Sequence, residues 1–76
     1  MIKLGVYKHY KGKYYQVIGI AKHSETLEEL VVYYCLYLNQ DGQLWVRSAA
    51  MFQEQIIVNG KKTARFTYVD EVAKSN

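Results

Sequence analysis

Apolar and polar residues alternate along most of this chain, the pattern of short strands with one face buried. Gly5 to Tyr10 and Lys13 to Ala21 are two such runs, joined by a tight turn at Gly12. Gly19 interrupts the second run and predicts a bulge or sharp bend there. Leu30 to Leu38 is β-branched and aromatic, and apolar at both alternating sets of positions. Such a strand is covered on both faces. With Leu30, Val32, Tyr34, Leu36 and Leu38 filling the interior, the face of Val31, Tyr33, Cys35 and Tyr37 needs its own cover. That cover is a second copy, a partner protein, or the C-terminal segment around Phe66 and Tyr68.

A fourth strand is expected at Leu44 to Arg47 and a single helical turn at Ser48 to Phe52, with Ser48 as N-cap. A fifth strand follows at Glu54 to Val58 and a sixth at about Ala64 to Val69. Asp41-Gly42 and Asn59-Gly60 are hairpin signals, because these residues tolerate the positive φ of primed turns. Five to six short strands with one helical turn predict a mostly-β fold, a small SH3-like barrel. It forms a single domain over residues 1–70, with a polar, frayed tail at 71–76. A split sheet packed on a helix is the rival; no segment has the roughly 10–12 residues of helical periodicity it needs.

Composition explains how so small a fold holds together. The chain has 76 residues, and a domain of that size buries only about 60% of its unfolded surface. One cysteine excludes an internal disulfide, so the core must carry the stability; half the residues are hydrophobic and eight are tyrosine. A tyrosine packs its ring inside while its hydroxyl stays wet, which suits a thin fold. The lone cysteine fits a reducing compartment. The start, Met1 to Tyr10, lacks the apolar run of a signal peptide. Leu30 to Leu38 is too short for a membrane helix of about 20 residues. A cytoplasmic protein is expected, with no membrane partner. The net charge of +3 permits a polyanionic partner without requiring one.

Three stretches, taken in order, carry a family likeness. They are Tyr7-Lys8-His9-Tyr10-Lys11-Gly12, then His23-Ser24-Glu25-Thr26-Leu27-Glu28, then Leu44-Trp45-Val46-Arg47 followed by Met51-Phe52. Together they resemble the small bacterial family known as domain of unknown function 1653 (DUF1653), over about Gly5 to Tyr68. The resemblance implies an SH3-like barrel in a bacterial cytoplasmic protein, and brings no activity, substrate or cofactor. Relatives tend to read Arg-Pro-Leu-Glu before Met-Phe, where this chain has Arg47-Ser48-Ala49-Ala50. They also tend to carry a proline where this chain has Ala64.

No catalytic or metal motif is present. Cys35 sits between Tyr34 and Leu36 in an apolar strand, whereas a reactive thiol wants a positive, partly exposed setting. His9, His23 and Cys35 lack the paired spacing of a zinc site. His23-Ser24-Glu25 has the residue types of a hydrolytic triad, but neighbours in an extended chain point apart. The expected alternative is a turn in which Ser24 or Thr26 bonds backbone N–H groups and His23 donates to the loop.

The expectation is therefore a non-enzymatic protein-binding or adaptor module without cofactor or metal. Its candidate contact surface is Tyr7, His9, Tyr10, His23, Ser24, Glu25, Trp45 and Arg47. Trp45 and Arg47 lie two apart and share a strand face. The alternative is an RNA or single-stranded DNA binder using Lys8, Lys11, Lys13 and Arg47, since an aromatic beside an arginine can stack a base and hold its phosphate. Tyr33 and Tyr37 are the candidate interface for a protein partner or for self-association.

Overall fold

In the computed structural model, which describes residues 2–71, seven strands and one helical turn follow the turn signals closely. They are β1 (Gly5–His9), β2 (Tyr14–Lys22), β3 (Glu29–Cys35), β4 (Leu44–Ser48), α1 (Ala49–Phe52), β5 (Gln55–Val58), β6 (Lys61–Ala64) and β7 (Phe66–Asp70). A five-stranded antiparallel sheet runs in the order β4, β3, β2, β1, β7, and β5 pairs with β6 in a separate hairpin. The mostly-β class is as expected. The hydrogen bonding does not close into a ring, so the strands make two sheets rather than a closed barrel. The expected tail lies outside the described residues from 72 onward.

The bulge at Gly19 is present. Val17 pairs with Tyr33 and Gly19 with Val32, so Ile18 is the extra residue. That insertion reverses the alternation of β2 and puts Ile20, not Gly19, opposite Val31. Asn59 (φ 52°) and Gly60 (φ 78°) both take positive φ between β5 and β6, the requirement of a two-residue primed turn. Ser48 Oγ accepts from the Met51 N–H at 3.1 Å, so the expected N-cap is in place.

Other expectations need correction. The sixth strand is two, β6 and β7, broken at Arg65. There the backbone turns aside to bond elsewhere: the Arg65 N–H donates to the Glu54 carbonyl at 3.1 Å, and the Tyr10 N–H donates to the Arg65 carbonyl at 3.0 Å. The third strand ends at Cys35, and residues 36–43 form a loop rather than a two-residue turn at Asp41-Gly42. Its side chains hold it: Asn39 Oδ1 accepts from the Asp41 N–H at 3.0 Å, and Gln43 Nε2 donates to the carbonyls of Cys35 and Tyr37.

The two faces of β3 are also reversed. Val31 is fully buried and Tyr33 is 5% exposed, so their face is the core, while Leu38 is 88% exposed. The cover comes from within the chain. Phe66 on β7 and Phe52 on α1 close over Tyr33, with ring centroids 5.9 and 6.0 Å away. The core is thus aromatic: Tyr7, Tyr33, Phe52 and Phe66 surround Val17 and Val31. Fully burying such a side chain is worth about 1.5–3 kcal/mol, and Tyr7 meets Phe52, and Tyr33 meets Phe66, edge-on as well.

Candidate binding site

The strand register divides the expected contact surface between two ends of the sheet. Tyr15 pairs with Cys35 at one end of the β2–β3 ladder, and Lys22 with Glu29 at the other. The turn at residues 10–13 and the loop at 36–43 belong to the Tyr15 end. The loop at His23 to Glu28 belongs to the opposite end.

That distant loop is held by its own hydrogen bonds. His23 Nδ1 accepts from the N–H groups of Glu25 (3.1 Å) and Thr26 (3.3 Å), and Thr26 Oγ1 accepts from the Glu28 N–H at 3.2 Å. The imidazole is therefore an acceptor here, not the donor expected, and its proton sits on Nε2. Ser24 and Glu25 are exposed and lie on the outside of a self-contained turn. The geometry offers no reason to join them to the other candidates.

The Tyr15 end gathers the rest. Tyr33 pairs with Trp45 and Val31 with Arg47, so Trp45 and Arg47 stand on the core face of β4, the edge strand. They carry the aromatic core out to the rim. With Tyr15, Tyr37 and Asn39 they wall a recess of about 190 Å³, floored by Tyr33 and Cys35. Trp45 is 38% exposed, and its Nε1–H donates to the Gly42 carbonyl at 2.9 Å, which fixes the indole plane. The hydroxyls of Tyr15 and Tyr37 bond each other at 2.8 Å, which with burial pushes the Tyr37 phenol well above its ordinary range. Asn39 Nδ2 reaches the Cys35 thiol at 3.6 Å. Cys35 is buried, as expected of an inert thiol.

Arg47 is the exception among these satisfied groups. Its Nε is buried and has no hydrogen-bond partner among the described residues. Its guanidinium carbon lies 5.6 Å from the Phe66 ring centroid, a cation–π distance. Among the described residues no carboxylate lines the recess. More positive charge stands around it. Lys13 Nζ is 4.8 Å from the Tyr37 ring centroid, and Lys11 Nζ 5.9 Å from that of Tyr10. Arg65, near by, holds Glu54 at 2.7 Å. His9 packs edge-on to Phe66 and Tyr15, and its Nδ1 accepts from the Lys11 N–H. Burial first, then Arg47, Arg65 and Lys11, hold its imidazole below the ordinary histidine range.

The remaining candidates fall elsewhere. Tyr7 is 7% exposed and belongs to the core, with its hydroxyl donating to the Lys3 carbonyl at 2.7 Å, so it is no contact residue. Tyr33 is likewise a core residue and meets the recess only as its floor, whereas Tyr37 stands in its wall. Lys8 pairs with Tyr14 on the other face of the sheet and lies over the Tyr14 ring, away from Lys11 and Lys13. Tyr15 and Asn39 were missed. Alternation alone places Tyr15 beside Tyr7 and Val17, but nothing in the sequence marks Asn39. Among the described residues no group of three or more His, Cys, Asp or Glu is placed to hold a metal ion. Nor is any helix long and apolar enough to cross a membrane. A wider apolar hollow of about 520 Å³ lies past the bulge, between Ile2, Leu4, Ile20 and Ala49, with Glu29 on its wall.

Comparison with known proteins supplies the family. The family model described as a protein of unknown function, DUF1653, matches residues 5–68. The chain belongs to the DUF1653 family. A crystal structure of a DUF1653 protein from Bordetella bronchiseptica is similar to it with a TM-score of 0.89 and 34% identity. That likeness covers 97% of this chain and 95% of the other. No curated protein matches the chain significantly. The DUF1653 assignment fixes kinship and fold, and leaves activity to be argued from the site.

Proposed function

We propose that this DUF1653 protein is a non-enzymatic adaptor module of the SH3-like kind that docks a protein segment at the Tyr15 end of its sheet. The carrying observation is the recess itself. Its aromatic walls are locked by internal hydrogen bonds, so they offer a preformed, rigid surface beside an unpaired cation. Rigid aromatics and arginine are the side chains that dominate protein–protein contacts, because they bury much area at small entropic cost. A recess of about 190 Å³ takes one side chain rather than a whole substrate. The buried, unpaired thiol of Cys35 fits work in the reducing cytoplasm.

Selection from a displayed peptide library tests this reading. Wild-type protein should enrich a sequence class that Trp45→Ala does not. Equal enrichment by both would remove the recess as the docking surface.

Nucleic-acid binding is the second reading, favoured by Lys11 and Lys13 beside the rings of Tyr10 and Tyr37 at the same end. With Lys8 on the opposite face, the basic track is short for a strand of phosphates.

A further inference from the structure

We infer that the recess is a subsite for a single carboxylate of an acidic peptide, gripped by the guanidinium of Arg47. The inference rests on the reading of the recess as the docking surface and adds what is docked there.

Consider what a ligand meets on entering. The polar groups of the walls already have partners: Trp45 Nε1 with Gly42, Tyr15 with Tyr37, Asn39 with its own loop. Arg47 lines the same recess with its guanidinium in no ion pair among the described residues, and its Nε has no hydrogen-bond partner there. A part-buried donor left without an acceptor is unfavourable, the more so when it is charged. An acceptor arriving at this guanidinium is therefore favoured over a neutral apolar occupant that leaves the charge unpaired.

The donor's geometry narrows the acceptor. The planar guanidinium presents paired N–H groups in a fork that fits the two oxygens of a carboxylate. Phosphate oxygens fit the same fork, so size and surroundings decide. The walls are aromatic on nearly every side, and the recess is small. A flat carboxylate on an aliphatic stem leaves the rings in contact with carbon. A phosphate carries up to two negative charges that only Arg47 would meet inside the recess. Lys13 at the rim and the net charge of +3 draw anions toward this end from a distance.

His9 gives the inference a built-in reporter. The charges of Arg47, Arg65 and Lys11 help keep its imidazole neutral. An anion bound at Arg47 offsets that repulsion and moves the imidazole titration upward.

The experiment is an amide and histidine NMR titration at low salt, with four probes. They are an acetylated, amidated tripeptide of tyrosine, glutamate and tyrosine, the same peptide with glutamine for glutamate, inorganic phosphate, and a decamer of uridylate. The glutamate peptide is expected to bind at least about tenfold tighter than the glutamine peptide, to shift the amides of Trp45, Arg47 and Asn39, and to raise the His9 titration point. Arg47→Gln should erase that preference, and Arg47→Lys, which keeps charge but not the fork, should restore only part of it. Because the comparison of the two peptides is made on wild-type protein, it stands even where a variant misfolds. Equal binding of both peptides at the recess would overturn the carboxylate subsite and leave the docking surface intact. Failure of both peptides to shift the recess would overturn the subsite and the docking surface together. Tighter binding of phosphate or of the uridylate decamer than of the glutamate peptide would overturn it in favour of a phosphate site.

Discussion

The rings of Phe52 and Phe66 lie stacked, with centroids 4.2 Å apart and planes 7° from parallel. One comes from a four-residue helix and the other from the edge strand β7, so this contact ties α1 to the far side of the sheet. Truncating Phe52 to alanine opens a cavity under Tyr7, Tyr33 and Phe66 at once. Phe→Ala in a core costs about 3–5 kcal/mol, and a fold this small holds only ~3–5 kcal/mol from its core. Phe52→Ala should be largely unfolded at 25 °C by circular dichroism and urea titration. A cooperative transition within about 1 kcal/mol of wild type would contradict this account of the core.

Gly5 opens β1 at φ 135°, and a Cβ there would come within 2.5 Å of the Asp70 carbonyl oxygen. Both strain and collision act against Gly5→Ala. The loss should exceed ~1 kcal/mol, measured as a lower urea midpoint with an unchanged slope. Gly19→Ala, with open space around the added methyl, is the control and should stay near wild type.

Ser48 caps the helical turn that presents Phe52, so its hydroxyl matters to the core. Ser48→Ala should cost ~1 kcal/mol, and Ser48→Asp much less. Thermal denaturation of the two variants checks the order.

His9 sets an acid limb of stability. Its imidazole titrates below the ordinary 6.5 in the folded chain, chiefly through burial and then through Arg47, Arg65 and Lys11. The unfolded chain therefore binds the proton more readily. The stabilising contribution is present above pH 6.5 and is lost as pH falls through the folded value. Urea midpoints between pH 8 and pH 5 should decline more steeply for wild type than for His9→Gln.

Much of this was readable from local signals. The bulge at Gly19, the Asn59-Gly60 turn and the Ser48 cap each depend on one or two residues acting on their own backbone. The orientation of β3 was not readable. Leu30 to Leu38 is apolar on both sides, so its alternation carries no information about which face meets Phe52 and Phe66. The same ambiguity put Tyr33 on an outer face needing separate cover, where the fold puts it in the core. The site was half legible. Trp45 and Arg47 share a face by strand period alone. Separating them from His23 needed the register that puts Lys22 opposite Glu29 at the far end. Asn39 enters the recess through a loop whose path is set by side-chain hydrogen bonds, which no pattern of hydrophobicity encodes.

The most direct test of the docking surface is an amide chemical-shift map with the peptide class selected on wild-type protein. The recess predicts shifts confined to residues 10–15, 36–43 and Leu44 to Arg47, with the His23 to Glu28 loop unmoved. Shifts centred on His23 to Glu28, with Trp45 and Arg47 silent, would place binding at the opposite end of the sheet and contradict it.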